Sequence, residues 1–335
     1  MPDVFNFTFN DIPNLEGKVA IVTGGNSGLG EVVSRELACK GCKVYIASRS
    51  RTRAEAAIAR IKTSIGTDEN LVFFELDLET MRGAVAAAES FLKLESRLDI
   101  LVANAGLGGI KSELTPDGFE RTFGVNHLGH FAFVTTVLPL VIRTADDNVD
   151  SQVRIVIMTS KSYEKSSPID FEDVKTTYHS KFAFFTLQDL LRRYARSKLA
   201  NIYFMRELAD LVKERKNIYV NACHPGLVYT NIFDLSTSPL PWYMRYIGER
   251  QAKWFGVNVN DGAKPALFLA ADRRVIENDV KGALIYPGPT DGFIYFSNIY
   301  IRKINQLGMD VQSRKKLWQF SENALKKALE SCSEC

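Results

Sequence analysis

The sequence lacks any run of about 18 apolar residues without charge, which predicts that no helix spans a membrane. It also lacks a large excess of either charge. Its 42 Lys and Arg residues against 39 Asp and Glu residues give a net charge of +3, which offers no basis for nucleic-acid binding. The first ten residues lack the basic and apolar segments of a signal peptide, so the expected location is cytoplasmic.

Cysteine is scarce, with five residues in 335. Cys39 with Cys42 and Cys332 with Cys335 form two C-x-x-C pairs, a spacing that occurs in zinc sites. Because nearly the whole chain separates the pairs, zinc is the weaker interpretation and no metal site is predicted. The first pair is better explained as a helix end that Gly41 closes. The second pair is a poor match to a prenylation signal.

A glycine-rich turn directly follows the first predicted strand, Lys18–Thr23, and precedes a helical pattern at Glu31–Lys40. In such a turn the backbone N–H groups can approach a pyrophosphate, and the helix N-terminus adds partial positive charge. We therefore predict a dinucleotide-binding turn, with a glycine-rich loop that binds nothing as the alternative. The predicted contacts are Gly24, Asn26, Ser27, Gly28, Leu29 and Gly30.

The second predicted strand, Lys43–Ser48, lacks the acidic residue that holds the ribose 2′-hydroxyl of NAD(H). Arg49 follows it instead, and a guanidinium suits a 2′-phosphate by charge and planar geometry. NADP(H) is therefore the favoured cofactor. NAD(H) remains an alternative cofactor. The other interpretation of Arg49 is a solvated basic residue at the start of a helix, without a role in cofactor binding.

Strands and helices alternate along most of the chain, which is typical of a doubly wound parallel sheet. We predict one α/β domain over residues 1–335, a Rossmann fold with seven parallel strands. Its core, about 17–290, follows an N-terminal arm at 1–16, in which Phe5, Phe7 and Phe9 pack on the fold or add an edge strand. An aromatic-rich substrate lid lies at about 227–260, and a helical tail at about 291–335.

Tyr194 and Lys198 lie four residues apart in a helical stretch, Leu187–Lys213, so their side chains share a face. A phenol with its usual pKa near ~10 exchanges protons poorly at neutral pH, and a nearby ammonium lowers that pKa. The pair therefore predicts an acid–base tyrosine, with a surface Tyr beside a surface Lys as the alternative. Ser160 ends the fifth predicted strand, at the sheet edge where Gly28 also lies.

In combination, these motifs resemble the classical short-chain dehydrogenase/reductases over about residues 17–290. The matching motifs occur in the family's order: Thr23–Gly30, Asn104-Ala105-Gly106, Asn126, Ser160, Tyr194-x-x-x-Lys198 and Pro225-Gly226. The segments 197–201 and 224–226 are most similar to the retinol-dehydrogenase-like branch. That branch favours NADP(H) through an arginine where this chain has Arg49.

The resemblance implies a role for each matching residue. Tyr194 would exchange a proton with the substrate oxygen, and Lys198 would lower its pKa and hold the nicotinamide ribose. Ser160 would donate a hydrogen bond to that oxygen, and Asn126 would hold a water of the proton relay. Further cofactor contacts are implied for Asp77, Leu78, Asn104, Ala105, Gly106, Pro225, Gly226 and Thr230.

One departure from the family concerns the position of Ser160. It lies 34 residues before Tyr194, a longer gap than the family usually has, and Ser162 is therefore the backup candidate. Segments 161–188 and 227–260 are aromatic, so an apolar carbonyl or alcohol is the expected substrate. Residues 239–247 are interpreted as a lid, with peripheral membrane contact as the alternative. Two other functions stay open, a non-catalytic NADP(H)-binding regulator and an enone-type C=C reductase. The resemblance also allows a homo-oligomer.

Overall fold

A single mixed sheet forms the centre of the computed structural model, which describes residues 4–67, 69–147, 151–178, 182–228, 238–244, 250, 257–290 and 293–330. The strands are β1 Val4–Asn6, β2 Val19–Thr23, β3 Lys43–Ser48, β4 Leu71–Glu75, β5 Ile100–Ala103, β6 Val153–Met158, β7 Ile218–Cys223, β8 Leu284–Thr290 and β9 Phe293–Arg302. Their order in the sheet is β1-β9-β8-β7-β6-β5-β2-β3-β4. The seven strands from β8 to β4 are parallel, as predicted. Two antiparallel strands, β9 and β1, extend this sheet to nine.

Helices cover both faces of the sheet. They are α1 Gly28–Cys39, α2 Arg51–Ile65, α3 Met81–Leu94, α4 Arg121–Asp146, α5 Ala183–Leu211, α6 Val259–Ala271, α7 Arg274–Glu277, α8 Gln306–Met309 and α9 Val311–Glu330. Successive residues of β2 point to opposite faces: Val19 and Ile21 pack with α3, α4 and α5, whereas Ala20 and Val22 pack with α1 and α6. The buried β-branched strands are thus sandwiched between two apolar layers.

Helix α4 was predicted over Gly118–Leu140 and instead covers Arg121–Asp146, with a π-helical turn at Gly124–Gly129. By length and composition alone it could cross a membrane. Its apolar window is, however, 72% buried inside the protein, where it packs against α3 and the sheet. Its hydrophobicity is accounted for by the core.

The N-terminal arm combines both expected roles. Strand β1 pairs with β9 at the sheet edge, while Phe5 and Phe7 are buried against Phe268 of α6, with ring centroids 4.9 and 5.8 Å away. Phe7 is completely buried. The arm therefore closes one face of the sheet beside α6.

Replacing Phe7 by Ala is expected to lower the free energy of unfolding by about 3–5 kcal/mol, because it leaves a cavity against Phe268. Chemical denaturation measures this. Val4→Thr is the control: Val4 lies in the same arm with 57% of its surface exposed, and should change stability by less than about 0.5 kcal/mol. Equal stability of the Phe7→Ala variant and the wild type would contradict the packing role.

The predicted helical tail at about 291–335 is partly wrong. Residues Phe293–Arg302 form strand β9, antiparallel to β8, with Tyr286 opposite Tyr300. Aromatic and β-branched residues dominate this segment, which favours a strand. The helix α9 then follows where a helix was expected, and Trp318 packs against Phe131 and Phe204.

The end of α1 agrees with the interpretation of the first cysteine pair. The helix ends at Cys39, and Gly41 adopts a φ of +86°, which only glycine adopts readily. Cys39 is exposed and Cys42 is buried, whereas Cys332 and Cys335 lie outside the described residues.

Candidate active site

A cleft of about 480 Å³ opens where the strand order reverses, at the carboxyl ends of β2 and β5. Most of the predicted site residues line it together: Gly24, Asn26, Ser27, Gly28, Leu29, Arg49, Asp77, Leu78, Asn104, Ala105, Gly106, Tyr194, Lys198 and Pro225. The predicted residues Gly30, Ser160, Asn126 and Gly226 are described but do not line it. Thr230 lies outside the described residues.

The glycine turn brings the start of α1 close to the neighbouring turn. A Cβ atom on Gly30 would lie 2.3 Å from the carbonyl oxygen of Gly24 and 2.6 Å from Asn104 Nδ2. Gly24 itself has a φ of +65°, and a Cβ there would meet Ala105. Only glycine permits this close approach, and the resulting cradle at a helix N-terminus fits a pyrophosphate.

The same turn is tied to the end of β5 by Thr23. Its Oγ1 accepts hydrogen bonds from the backbone N–H groups of Asn104 and Ala105, both at 2.9 Å. Asn104 Nδ2 in turn donates to the carbonyl oxygen of Thr23 at 2.8 Å. The sequence alone shows Thr23 only as the first residue of the motif, because its role depends on the pairing of β2 with β5.

One end of the cleft is basic. Arg49, Arg53 and Arg60 line it, and half of the Arg49 side chain is exposed. Arg49 Nη1 lies 3.4 Å from Glu79 Oε1, but Arg121 Nη2 approaches that oxygen more closely, at 2.5 Å. Arg121 is therefore the closer partner of Glu79. Arg53 and Arg60 were missed, although their spacing along α2 places them on one side of that helix.

Tyr194 and Ser160 meet although they lie 34 positions apart in the sequence. Ser160 ends the segment after β6, and a hydrogen bond links its side chain to the Tyr194 phenol. Ser162, the backup, donates its backbone N–H to Ser160 Oγ at 3.3 Å. The long insertion thus leaves Ser160 beside the tyrosine.

The expected lowering of the Tyr194 pKa by Lys198 does not prevail. Burial raises the pKa of Tyr194 to about 12, and the hydrogen bond from Ser160 opposes this only in part. Burial also lowers the pKa of Lys198 to about 8, since it disfavours the ammonium, while Cys223 acts in the opposite direction. Lys198 Nζ lies 5.5 Å from the Tyr194 ring centre and donates to the carbonyl oxygen of Met158 at 3.2 Å.

Asn126 lies in the π-helical turn and is completely buried. Its Oδ1 accepts from the Leu107 N–H at 2.7 Å, and its Nδ2 donates to the Leu107 carbonyl at 2.9 Å and to Ser197 Oγ at 3.0 Å. The side chain therefore fixes the segment after Gly106 to the helix that carries Tyr194. Its implied contact with a relay water stays a prediction.

A buried ion pair that the sequence did not reveal lies next to Tyr194. Arg193 Nη1 contacts Glu120 Oε1 at 2.9 Å, and Glu120 also accepts the N–H groups of Thr122 and Phe123 at the start of α4. Arg193 Nη2 donates to the carbonyl oxygen of Ile110 at 2.9 Å. Arg193 thus holds α4 and the segment around Ile110 against the tyrosine helix.

Replacing Arg193 by Met is expected to lower the free energy of unfolding by about 3–5 kcal/mol, because it leaves the buried carboxylates of Glu120 and Asp189 without their closest guanidinium partner. Thermal or chemical denaturation measures this. Arg192→Met is the matched control: that side chain is 48% exposed, and its loss should change stability by about 1 kcal/mol or less. Equal losses in the two variants would contradict the account of the buried pair.

Within the described part of the chain, no group of three or more His, Cys, Asp or Glu side chains is arranged to hold a metal ion.

Comparison with known proteins agrees with this geometry. A sequence profile described as short chain dehydrogenase matches residues 18–170. Retinol dehydrogenase 14 from Mus musculus is 35% identical over 319 residues, which cover 92% of this chain and 86% of that protein. A solved structure of an uncharacterized Mycobacterium paratuberculosis protein aligns with a TM-score of 0.71 and 26% identity, over 96% of this chain and 98% of that one. A 3-ketoacyl-(acyl-carrier-protein) reductase from Brucella melitensis, complexed with NADH, shares the fold with a TM-score of 0.60 and 23% identity, over 81% and 97% of the chains.

Proposed function

The chain belongs to the short-chain dehydrogenase/reductase family, in its retinol-dehydrogenase-like branch, and from this premise we propose a specific reaction. The protein transfers a hydride between NADP(H) and an apolar carbonyl or alcohol, with Tyr194 as the acid–base. The observation that carries the proposal is the convergence of Tyr194, Lys198 and the glycine turn on one cleft. Ser160 stands beside the tyrosine at that site.

The residues assigned to cofactor binding lie at two ends of the cleft. The glycine turn and the N-terminus of α1 would hold the pyrophosphate, and Lys198 would hold the nicotinamide ribose. Once bound, the nicotinamide supplies or accepts the hydride. Asn104, Ala105 and Gly106 line the wall between the two ends. Thr23 holds Asn104 and Ala105 in place.

The raised pKa of Tyr194 supports proton donation, and therefore the reduction of a carbonyl. At neutral pH the phenol stays protonated, because burial disfavours the phenolate. The oxygen of a carbonyl gains negative charge as the carbon accepts hydride, and an alkoxide is a stronger base than a phenolate. Tyr194 would protonate that oxygen while the Ser160 hydroxyl donates a hydrogen bond to it.

The preference for NADP(H) is supported by the basic end of the cleft. A 2′-phosphate there would meet the guanidinium groups of Arg49 and Arg53. The carboxylate of Glu79, which contacts Arg49, is held more closely by Arg121. NAD(H), which needs no cation at that position, is the alternative.

An apolar substrate is supported by aromatic residues on the segments that were expected to build its pocket. Phe182 and Phe185 start the tyrosine helix at 69% and 47% exposure, and the described part of the lid presents Trp242 at 72%. Residues 229–237, 245–249 and 251–256 of the lid lie outside the described residues. The same exposed rings support the second interpretation of this region, a peripheral contact with a membrane surface.

The direct test is the oxidation of NADPH by the purified protein with apolar aldehydes, ketones and enones, and with NADH in parallel. We expect turnover of a carbonyl compound with NADPH. Product analysis with an enone separates C=O from C=C reduction. Tight NADPH binding without turnover of any compound would favour the non-catalytic regulator instead.

A further inference from the structure

We propose that His130 is a positioning residue of the cofactor site, which acts by orienting the hydroxyl group of Thr23. The inference rests on the proposed function, because the turn that Thr23 holds is part of the cleft assigned to the dinucleotide. His130 lies in α4, directly after the π-helical turn, and is 3% exposed. It does not line the cleft among the residues described there, so it would act only through its neighbours.

The hydrogen bonds of His130 determine which ring nitrogen carries the proton. Nδ1 lies 3.2 Å from the carbonyl oxygen of Asn126, and Nε2 lies 2.9 Å from Thr23 Oγ1. A carbonyl oxygen can only accept a hydrogen bond, so Nδ1 is the protonated nitrogen. In the neutral ring Nε2 then offers a lone pair, and the Thr23 hydroxyl donates to it.

Because the Thr23 hydroxyl donates its proton to Nε2, both of its lone pairs remain available to accept hydrogen bonds from other groups. A hydroxyl has one donor and two acceptor positions. The backbone N–H groups of Asn104 and Ala105 each lie 2.9 Å from Thr23 Oγ1 and occupy the acceptor positions. All three positions are thus used at a completely buried side chain. Without the Nε2 acceptor, the hydroxyl proton would compete with one of the two N–H groups for the same space.

The environment keeps the ring in the state that this arrangement needs. Burial and the nearby charge of Lys198 lower the pKa of His130 to about 4, while its backbone hydrogen bonds oppose this shift. Among the described residues, the neighbouring buried His127 also interacts electrostatically with this ring. A protonated ring would present a donor to Thr23 in place of an acceptor. The neutral ring therefore links the π-helical turn to the turn at Asn104 and Ala105.

Two substitutions distinguish the contact made by Nε2 from the contact made by Nδ1. The amide of Gln reaches the position of Nε2 and can accept from Thr23, whereas the shorter Asn reaches the position of Nδ1 and can only replace the contact with Asn126. We expect His130→Gln to bind NADPH with nearly wild-type affinity. We expect His130→Asn to bind it about ten- to a hundredfold more weakly, since a buried hydroxyl loses its acceptor.

Binding is measured by titration calorimetry on variants with wild-type circular dichroism, together with Thr23→Val and Thr23→Val/His130→Asn. Because His130 acts through Thr23, the double variant should bind no more weakly than Thr23→Val alone. Equal losses in His130→Gln and His130→Asn, or additive losses in the double variant, would overturn the inference. A wild-type protein that does not bind NADP(H) at all would instead count against the proposed function.

A second measurement reads the tautomer of His130 directly in the wild-type protein and uses a variant only for signal assignment. Nitrogen-15 spectra of labelled histidine in the wild-type protein report the tautomer of each of its four histidines, and the loss of one signal set in His130→Gln assigns His130. The Nδ1–H tautomer is the expected result. An Nε2–H tautomer, or a doubly protonated ring at neutral pH, would overturn the inference.

Discussion

Replacement of Tyr194 by Phe is expected to lower kcat by about 10²- to 10⁴-fold, the usual contribution of a positioned acid–base group, and to leave the Kd for NADPH close to that of the wild type. The substitution removes only the phenol oxygen that Ser160 contacts, while the ring still fills its buried position. Without that oxygen the side chain has no proton to give to the substrate. Steady-state kinetics and calorimetric NADPH binding separate the two effects.

Tyr203→Phe is the matched control, because it removes a second buried hydroxyl from the same helix. Tyr203 is 1% exposed and donates to the carbonyl oxygen of Leu307, away from the cleft. Its loss should lower stability by about 1 kcal/mol and leave kcat unchanged. A Tyr194→Phe enzyme with wild-type kcat would refute the assignment of the acid–base.

The second large effect concerns cofactor choice. Arg49→Asp should lower the ratio of kcat/KM for NADPH to that for NADH by roughly 10- to 100-fold or more. A charge-assisted hydrogen bond to the phosphate contributes about 1.5–3 kcal/mol, and the new carboxylate adds repulsion. The carboxylate also offers an acceptor to a ribose 2′-hydroxyl, so activity with NADH should not fall. Parallel kinetics with both cofactors measure the ratio.

Arg51→Asp controls for the change of net charge. Arg51 is two residues away, and its guanidinium lies over the Phe73 ring at 4.4 Å, outside the cleft lining. This variant should keep the wild-type preference for NADPH. If Arg49→Asp also kept it, Arg49 would not be the residue that binds the 2′-phosphate.

Local sequence signals were sufficient to predict the parallel sheet and to name most of the candidate residues that line one cleft. Buried parallel strands are recognisable as β-branched apolar runs, and a glycine turn between a strand and a helix has few other structural explanations. The four-residue spacing of Tyr194 and Lys198 needs only a helix to bring both side chains to one cleft. These features depend on neighbours in the sequence.

Features that depend on distant parts of the chain were missed. Strand β9 forms through its pairing with β8 and β1. The sequence alone does not show this pairing, and the tail was therefore predicted to be helical. Arg193 and Glu120 are 73 residues apart, so their pairing follows only from the packing of α4 on the tyrosine helix. The direction of the Tyr194 pKa shift was also wrong, because sequence shows the neighbouring Lys198 but not how deeply both groups are buried.

The most direct test of the account follows the hydride itself. NADPH carrying deuterium at C4, in each of its two stereochemical forms, is incubated with the protein and the best carbonyl substrate, and the alcohol is examined by mass spectrometry. The account predicts that one of the two forms adds a single deuterium at the carbinol carbon, and that Tyr194→Phe slows formation of the labelled product by about 10²- to 10⁴-fold. Alcohol that forms without deuterium from either form, or an unaltered substrate in the presence of bound NADPH, would contradict hydride transfer to a carbonyl at this site.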